Sequence, residues 1–219
     1  GEDIVVNVTS VNATAVSYEV VDENNVVVAA GTLNPGEAIT GLDLGAGVYT
    51  VNLVTVVDDN HYSVLGNAAI VVNKASSSVS ADNVTVTYGD AIVIGVTSVN
   101  ATGVTYEVVD VNNVVVASGV LKPGEAISGL DLAAGNYTVN LVTVVDGNHT
   151  SATGTSAITV NRASSSVKAD NVTVTYGDAI VIGVTSVNAT GVNYEVVDQT
   201  GVVVASGVLK PGEAISGLD

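Results

Sequence analysis

The sequence predicts an all-β protein built from small sandwich domains, and two observations carry that prediction. The first is that apolar and polar residues alternate with a period of two along most of the chain, with turn-forming residues roughly every 8–12 positions. Ile92, Ile94 and Val96, for example, are predicted to share one face, and the alternate positions Val93, Gly95 and Thr97 the other. No stretch carries the period of a helix, so we expect strands throughout.

The second observation is an internal repeat with a spacing of 88 residues. The segment Thr-Ser-Val-Asn-Ala-Thr begins at Thr9, Thr97 and Thr185, and residues 76–131 differ from residues 164–219 at five of 56 positions. A unit of this size can hold its own hydrophobic core, unlike the shorter repeats of a solenoid. The repeat therefore predicts a tandem array of similar domains.

Two serine-rich stretches, at residues 73–78 and 161–166, follow apolar strands and are predicted to be short linkers. They divide the chain into residues 1–75, which lack the first strand of the unit, a complete unit at 76–163, and residues 164–219, which lack the last strands. We expect these 219 residues to be part of a longer array. The three segments are called the first, second and third copy below.

Within the second copy, the alternation defines a series of short strands. They are predicted at residues 84–88, 92–96, 104–108, 114–116, 137–141 and 157–160. About seven short strands in a unit of this length are typical of an immunoglobulin-like β-sandwich.

Tyrosines mark two special positions of that sandwich. Tyr49 and Tyr137 each follow a Leu-x-Ala-Gly-x segment, which fits a tyrosine corner at the start of strand F. Tyr18, Tyr106 and Tyr194 take the place of the core tryptophan on strand C. The chain has no cysteine, so the expected core is aliphatic packing around one aromatic residue per copy, without a disulfide.

The order YGDAI, GVTYEV, LKPGEA, LDLAAGNYTVNLV, DGNH and ITVNRASSS resembles the bacterial Ig-like repeats of large surface proteins. Versions rich in valine and asparagine are similar to the adhesin-like surface proteins of methanogenic archaea. The resemblance implies an extracellular, cell-surface stalk, fibre or adhesin module, and no enzyme. It implies a filament of rigid domains, or alternatively an adhesive module that binds a glycan or protein of a host or neighbouring cell.

Charge and composition exclude several other classes. The net charge of −17 repels phosphate backbones, so we expect no nucleic-acid partner. No apolar run reaches the roughly 18 residues of a membrane span, so no membrane contact is expected in these residues. With two histidines, no cysteine and no serine-hydrolase motif, no catalytic residue is assigned.

Eight Asn-x-Thr sequons are candidates for N-linked glycosylation, which places bulky, solubilising groups on a surface. Outward strand and turn positions would also select Asn and Thr without any glycan. The eight asparagines are Asn7, Asn12, Asn83, Asn100, Asn136, Asn148, Asn171 and Asn188.

No cofactor is expected, and Ca²⁺ is the only candidate metal. The oxygen donors for it are Asp58, Asp59 and Asn60 in one loop, and Asp146 and Asn148 in the corresponding loop of the second copy. Because Ca²⁺ needs six to eight oxygens and no EF-hand spacing is present, solvated loop acids are the simpler interpretation.

Some valines are predicted on outward faces. Val142 and Val144 (Val54 and Val56 in the first copy) lie on the polar side of strand F, and Val109 lies on the Glu107 side of strand C. Such residues can form a repeated apolar patch for other copies of the chain or a cell-surface ligand. Alternatively, a loop covers them or the strand changes face.

Overall fold

A computed structural model describes residues 3–218. The described residues form strands, turns and loops, with no helix among them. The predicted all-β class is therefore confirmed.

The strands are short and follow one another in hairpins or across the sandwich. Residues 3–76 contain β1 (Val6–Asn7), β2 (Ala15–Val21), β3 (Val27–Leu33), β4 (Ala38–Ile39), β5 (Gly47–Val56), β6 (Leu65–Val72) and β7 (Ala75–Ser76). Residues 78–161 contain β8 (Ser78–Ala81), β9 (Val84–Thr87), β10 (Val96–Val99), β11 (Gly103–Val109), β12 (Val115–Leu121), β13 (Gly135–Val144), β14 (His149–Thr150) and β15 (Thr153–Asn161). Residues 166–218 contain β16 (Ser166–Ala169), β17 (Ile180–Ile182), β18 (Val184–Val187), β19 (Val192–Val197), β20 (Val203–Leu209) and β21 (Ile215–Leu218).

The chain divides into two compact units. Among the described residues, one contains residues 3–84, 92–130 and 136–158, and the other contains residues 85–91, 131–135 and 159–218. The first unit thus includes the first copy, most of the second copy, and the linker between them.

In the first copy, one antiparallel sheet has the strand order β3-β2-β5-β6, and β1 pairs with β4. In the second copy, neighbouring strands follow the same order, β12-β11-β13-β15, and Ile94 bridges to Ile127. Alternate residues of each sheet point to one side and form the core. In the second copy, the fully buried side chains are Ile94, Val104, Val108, Ile127, Val139, Leu141 and Ile158.

In the second unit, the third copy contains three antiparallel pairs, β16 with β18, β17 with β21 and β19 with β20. Its buried apolar side chains are Leu209 and Ile215. Strand β20 has the sequence of β12, and it pairs with β19 as β12 pairs with β11.

The expectation that Val109 points outward is wrong. The β11–β12 pairing has a bulge at this point: Val108 pairs with Ala117 and Val109 with Val115, so the extra residue, Val116, lies on β12. Such a bulge bends and twists the pairing locally, and both Val108 and Val109 are buried. The same irregularity lies at Val20/Val21 in the first copy, where both valines are also buried.

Val142 and Val144 do lie on the outer face, as do Val54 and Val56. Each of the four side chains is about 40% exposed, between 39% and 41%. The sequence prediction for strand F is confirmed, because β13 and β5 keep their alternation over ten residues without a bulge.

Each strand-C tyrosine packs on a glycine of the neighbouring strand. Tyr106 lies opposite Gly119, and a Cβ added to Gly119 would stand 2.8 Å from the Cε1 atom of the tyrosine ring. Tyr18 with Gly31 and Tyr194 with Gly207 repeat the arrangement. Covering a strand glycine with an aromatic ring restores the side-chain packing that glycine lacks.

Candidate functional site

The joint between the first and second copies is the site in which the structure brings distant, chemically distinct residues together. The linker strand β7 pairs in parallel with β14, so that His149 lies opposite Ala75 and Thr150 opposite Ser76. The linker is therefore hydrogen-bonded to a loop of the second copy. We call residues 75–77 together with residues 148–150 the joint.

Asn148 binds both sides of this joint. Its backbone oxygen accepts a hydrogen bond of 2.9 Å from the Ala75 amide, and its Oδ1 accepts one of 2.8 Å from the Ala46 amide in the first copy. Gly45, the residue before Ala46, leaves room for that side chain, since a Cβ there would meet Oδ1 at 2.9 Å. One side chain of the second copy thus caps a backbone amide of the first.

Hydroxyl and amide groups hold the rest of the linker. The Ser77 hydroxyl donates to the Thr150 carbonyl oxygen and lies 3.0 Å from the hydroxyl of the buried Thr143. From the opposite direction, the Asn100 side-chain Nδ2 donates to the Ser76 carbonyl oxygen at 2.8 Å. The linker backbone is therefore bonded on two sides, which limits its torsional freedom.

The loop that carries Asn148 is closed by an aspartate. Asp146 Oδ1 accepts hydrogen bonds from the Asn148 amide at 2.9 Å and from His149 Nδ1 at 2.6 Å. The hydrogen bond from His149, followed by that from the Asn148 amide, lowers the pKa of the Asp146 carboxyl group below its usual value. An ionised Asp146 therefore keeps Asn148 in place for the joint.

The corresponding loop of the first copy has the same internal geometry. Asp58 Oδ1 accepts from the Asn60 amide and from His61 Nδ1. The two histidines are therefore structural partners of loop aspartates, since each orders the turn that its aspartate begins.

These loops are also where the Ca²⁺ candidates lie. Asp58 and Asp59 are exposed, and Asp58 Oδ1 is already engaged by Asn60 and His61. Asp146 Oδ1 accepts a hydrogen bond within the loop, and Asn148 Oδ1 accepts one from the Ala46 amide. Among residues 3–218, no group of three or more His, Asp or Glu side chains has the geometry to hold a metal ion.

All eight sequon asparagines are exposed. Three of them, Asn12, Asn100 and Asn188, have a φ of 54°, the left-handed turn conformation that asparagine tolerates. The sequon residues differ in their bonding, because Asn100 and Asn148 hold the joint whereas Asn83 accepts from the Ala157 amide at 2.8 Å.

The tyrosine corner forms in the first copy. The Tyr49 hydroxyl donates a hydrogen bond of 3.0 Å to the carbonyl oxygen of Gly45, four residues upstream. This bond fixes the loop that presents the Ala46 amide to Asn148. Tyr137, the equivalent residue of the second copy, is half-buried.

The second unit contains the corresponding linker. Asn188 Nδ2 donates to the Ser164 carbonyl oxygen at 2.9 Å, which repeats the bond from Asn100 to Ser76. Nearby, a shallow cavity of about 500 Å³ is lined by Tyr88, Ala133, Ala134, Arg162, Ala163 and Asn188. Ala134 and Ala163 occupy the sequence positions that Ala46 and Ala75 occupy in the first joint.

Sequence reasoning missed the role of Asn148 and of the linker. It predicted residues 73–78 as a linker only, and it considered Asn148 as a sequon and a Ca²⁺ donor. The available signal was the Asp-x-Asn-His pattern at residues 58–61 and 146–149, which is typical of an ordered Asx turn.

No family model matches this chain, and no curated protein matches it either. Its fold is similar to the BSP domain of a biofilm-associated protein, with 24% identity over 74% of this chain and a TM-score of 0.26; the chain spans 28% of that protein's length. It is also similar to the fibronectin(III)-like modules of Clostridium thermocellum CbhA, with 16% identity over 74% of this chain and 87% of that one and a TM-score of 0.31.

A third similar structure is a two-domain fibronectin type III segment of chicken tenascin. It shares 14% identity over 64% of this chain and 82% of that one, with a TM-score of 0.35. In residues 3–218 of the present chain, no helix is both long and apolar enough to span a membrane.

Proposed function

We propose that this chain is a structural segment of a long extracellular filament or adhesin on a cell surface, in which joined Ig-like domains act as a stiff spacer. The single observation that carries the proposal is the hydrogen-bonded joint between the first and second copies. A flexible tether needs no such bonds, whereas a spacer that must hold its direction does.

Six hydrogen bonds lie at the joint, and three of them, those to Ala46 and Ala75, connect the second copy to the first. Asn148 makes two of them, Ser77 makes two, Asn100 makes one and the Thr150 hydroxyl makes one to the Ala75 carbonyl oxygen. A hydrogen bond of this kind contributes about 1 kcal/mol net, so several acting together oppose bending effectively.

The surface supports an extracellular role. The excess of acidic over basic residues favours solubility, and the exposed Asn-x-Thr sequons outside the joint are accessible to glycosylation. The proposal assigns no catalytic step and no cofactor to the chain.

The joint can be tested by distance measurements between two spin labels. The chain has no native cysteine, so cysteines at the exposed Thr40 in the first copy and Ser128 in the second carry the labels without background. We expect one narrow distance distribution in the parent chain. A broad distribution there would contradict the spacer function.

Asn148→Ala should broaden this distribution and speed hydrogen exchange at the Ala46 amide about tenfold, because it removes the acceptor on Ala46. The matched control is Asn60→Ala, which changes the same residue type in the corresponding loop of the first copy. Equal effects of the two substitutions would contradict the role of Asn148.

A further inference from the structure

Each of the three copies has three consecutive exposed valines at the start of the same strand. The first valine precedes the strand, and the other two are its first residues. The nine side chains are between 44% and 61% exposed. They are Val26, Val27 and Val28, then Val114, Val115 and Val116, then Val202, Val203 and Val204. Exposed apolar groups that recur at one structural position are typical of a contact surface.

The strand concerned in the second copy, β12, is a sheet edge. Among the described residues, its only strand partner is β11. An edge strand presents backbone N–H and C=O groups that can pair with another strand, and proteins usually block this with a charge or a proline within the strand. Strand β12 contains neither, although the chain as a whole carries 27 formally charged acidic and basic groups, from 22 acids and 5 bases.

We propose that β12 pairs edge to edge and antiparallel with β12 of another molecule of the same protein. Pairing along the full strand Val115–Leu121 places its centre, Ser118, opposite the same residue of the second chain. A strand that pairs with itself around a twofold axis needs no other partner sequence, and an uncharged strand is where two acidic chains can meet without close repulsion.

Charges at the two ends of the strand are complementary in this register. Lys122 lies opposite Val114 of the other chain, and Val114 is held against Asp110 by two hydrogen bonds. A lysine side chain can therefore reach Asp110 across the contact, once at each end. Of the five basic residues in the chain, Lys122 and Lys210 take this position, whereas the first copy has Asn34.

The acidic residue nearest to the centre does not oppose the contact strongly. Glu107 pairs with Ser118 from the far side, on β11. Three strand spacings of about 4.8 Å separate the two Glu107 residues, or roughly 14 Å. That distance exceeds the Debye length of about 8 Å at physiological ionic strength, so their repulsion is largely screened.

Disulfide trapping tests the register directly, because the chain has no native cysteine. Ser118→Cys should form a disulfide-linked dimer under mild oxidation at least tenfold faster than Ser128→Cys, a matched exposed serine outside β12. Equal rates for the two variants would overturn the proposed pairing.

Sedimentation velocity tests the contact without a crosslink. Val120→Lys places a charge on β12, at a side chain that is 71% exposed, and should reduce the concentration-dependent rise in sedimentation coefficient. Val11→Lys, at an exposed turn valine, should leave that rise unchanged. Lys122→Glu should weaken it, more so at low salt.

A parent chain that stays monomeric up to the millimolar range would overturn the inference, as would self-association that Val120→Lys leaves intact. Either result can occur with the joint unaltered, since the joint uses neither β12 nor Lys122. Failure of this inference is therefore distinguishable from failure of the spacer function.

Discussion

Strands β11 and β19 have almost the same sequence and differ greatly in burial. Over their common length, the one difference is Thr105 in β11 and Asn193 in β19. Val104 and Val108 of β11 are 1% and 0% exposed, whereas their counterparts Val192 and Val196 in β19 are only partly buried.

The difference follows from the strands beside them. Strand β11 pairs with β12 on one side and with β13 on the other. Strand β19 pairs with β20 alone among the residues that the structure describes. The local alternation therefore places a valine at these positions, but the burial of that valine depends on a partner strand about thirty residues further along the chain.

The largest expected effect comes from truncating Val108 of β11, in comparison with its counterpart Val196 of β19. Val108→Ala should lower the free energy of unfolding by about 2–3 kcal/mol, because two buried methyl groups are lost and a cavity remains. Val196→Ala should cost less than about 1 kcal/mol. Urea denaturation, with hydrogen exchange to resolve the two strands, measures both. Equal costs would show that the burial difference does not govern stability.

A smaller effect is expected at the start of β5, where the tyrosine corner of the first copy lies. Tyr49→Phe should lower the free energy of unfolding by about 1 kcal/mol, because the hydrogen bond to Gly45 is lost. Tyr18→Phe is the control, since Tyr18 meets Gly31 through its ring, and it should cost less than about 0.5 kcal/mol. Thermal unfolding measures both variants. Equal losses of stability in the two would contradict a stabilising role of the hydrogen bond from Tyr49 to Gly45.

The smallest effects should be alike in the two copies, because they depend on local turns. The amide of Val114 hydrogen-bonds Asp110, and the hydroxyl of Thr200 followed by the amide of Val202 hydrogen-bond Asp198. These bonds lower the pKa of each carboxyl group below its ordinary value of 3.8.

A lowered pKa in the folded state means that the stabilisation is present above pH 3.8 and is lost as the pH falls through the folded-state value. Asp110→Asn and Asp198→Asn should each reduce this acid dependence slightly and by similar amounts. Stability measured between pH 2 and pH 6 checks this. A marked inequality would show that tertiary contacts, and not the turn alone, set these pKa values.

The sequence analysis was correct where the outcome depends on neighbouring residues. The alternation at Ile92, Ile94 and Val96 identified three buried side chains, and the exposure of Val142 was predicted from the same period. It was wrong at Val109, because a bulge depends on the register between two strands, which no single strand encodes.

For the joint, the sequence identified the parts without their connection. Asn100, Asn148 and the linker were all singled out, but their contacts join residues separated by between 24 and 102 positions. Such contacts depend on how the second copy folds back on the linker, so side-chain type and spacing could not reveal them.

By itself, the sequence determined that the chain is all-β, that its units repeat, and that its core is aliphatic, because alternation and repetition act over short or identical stretches. The tertiary structure alone decided that Val109 is buried and which edges stay open. It also decided that Asn148 holds the linker, because each of these outcomes needs a partner that is distant in the chain and close in space.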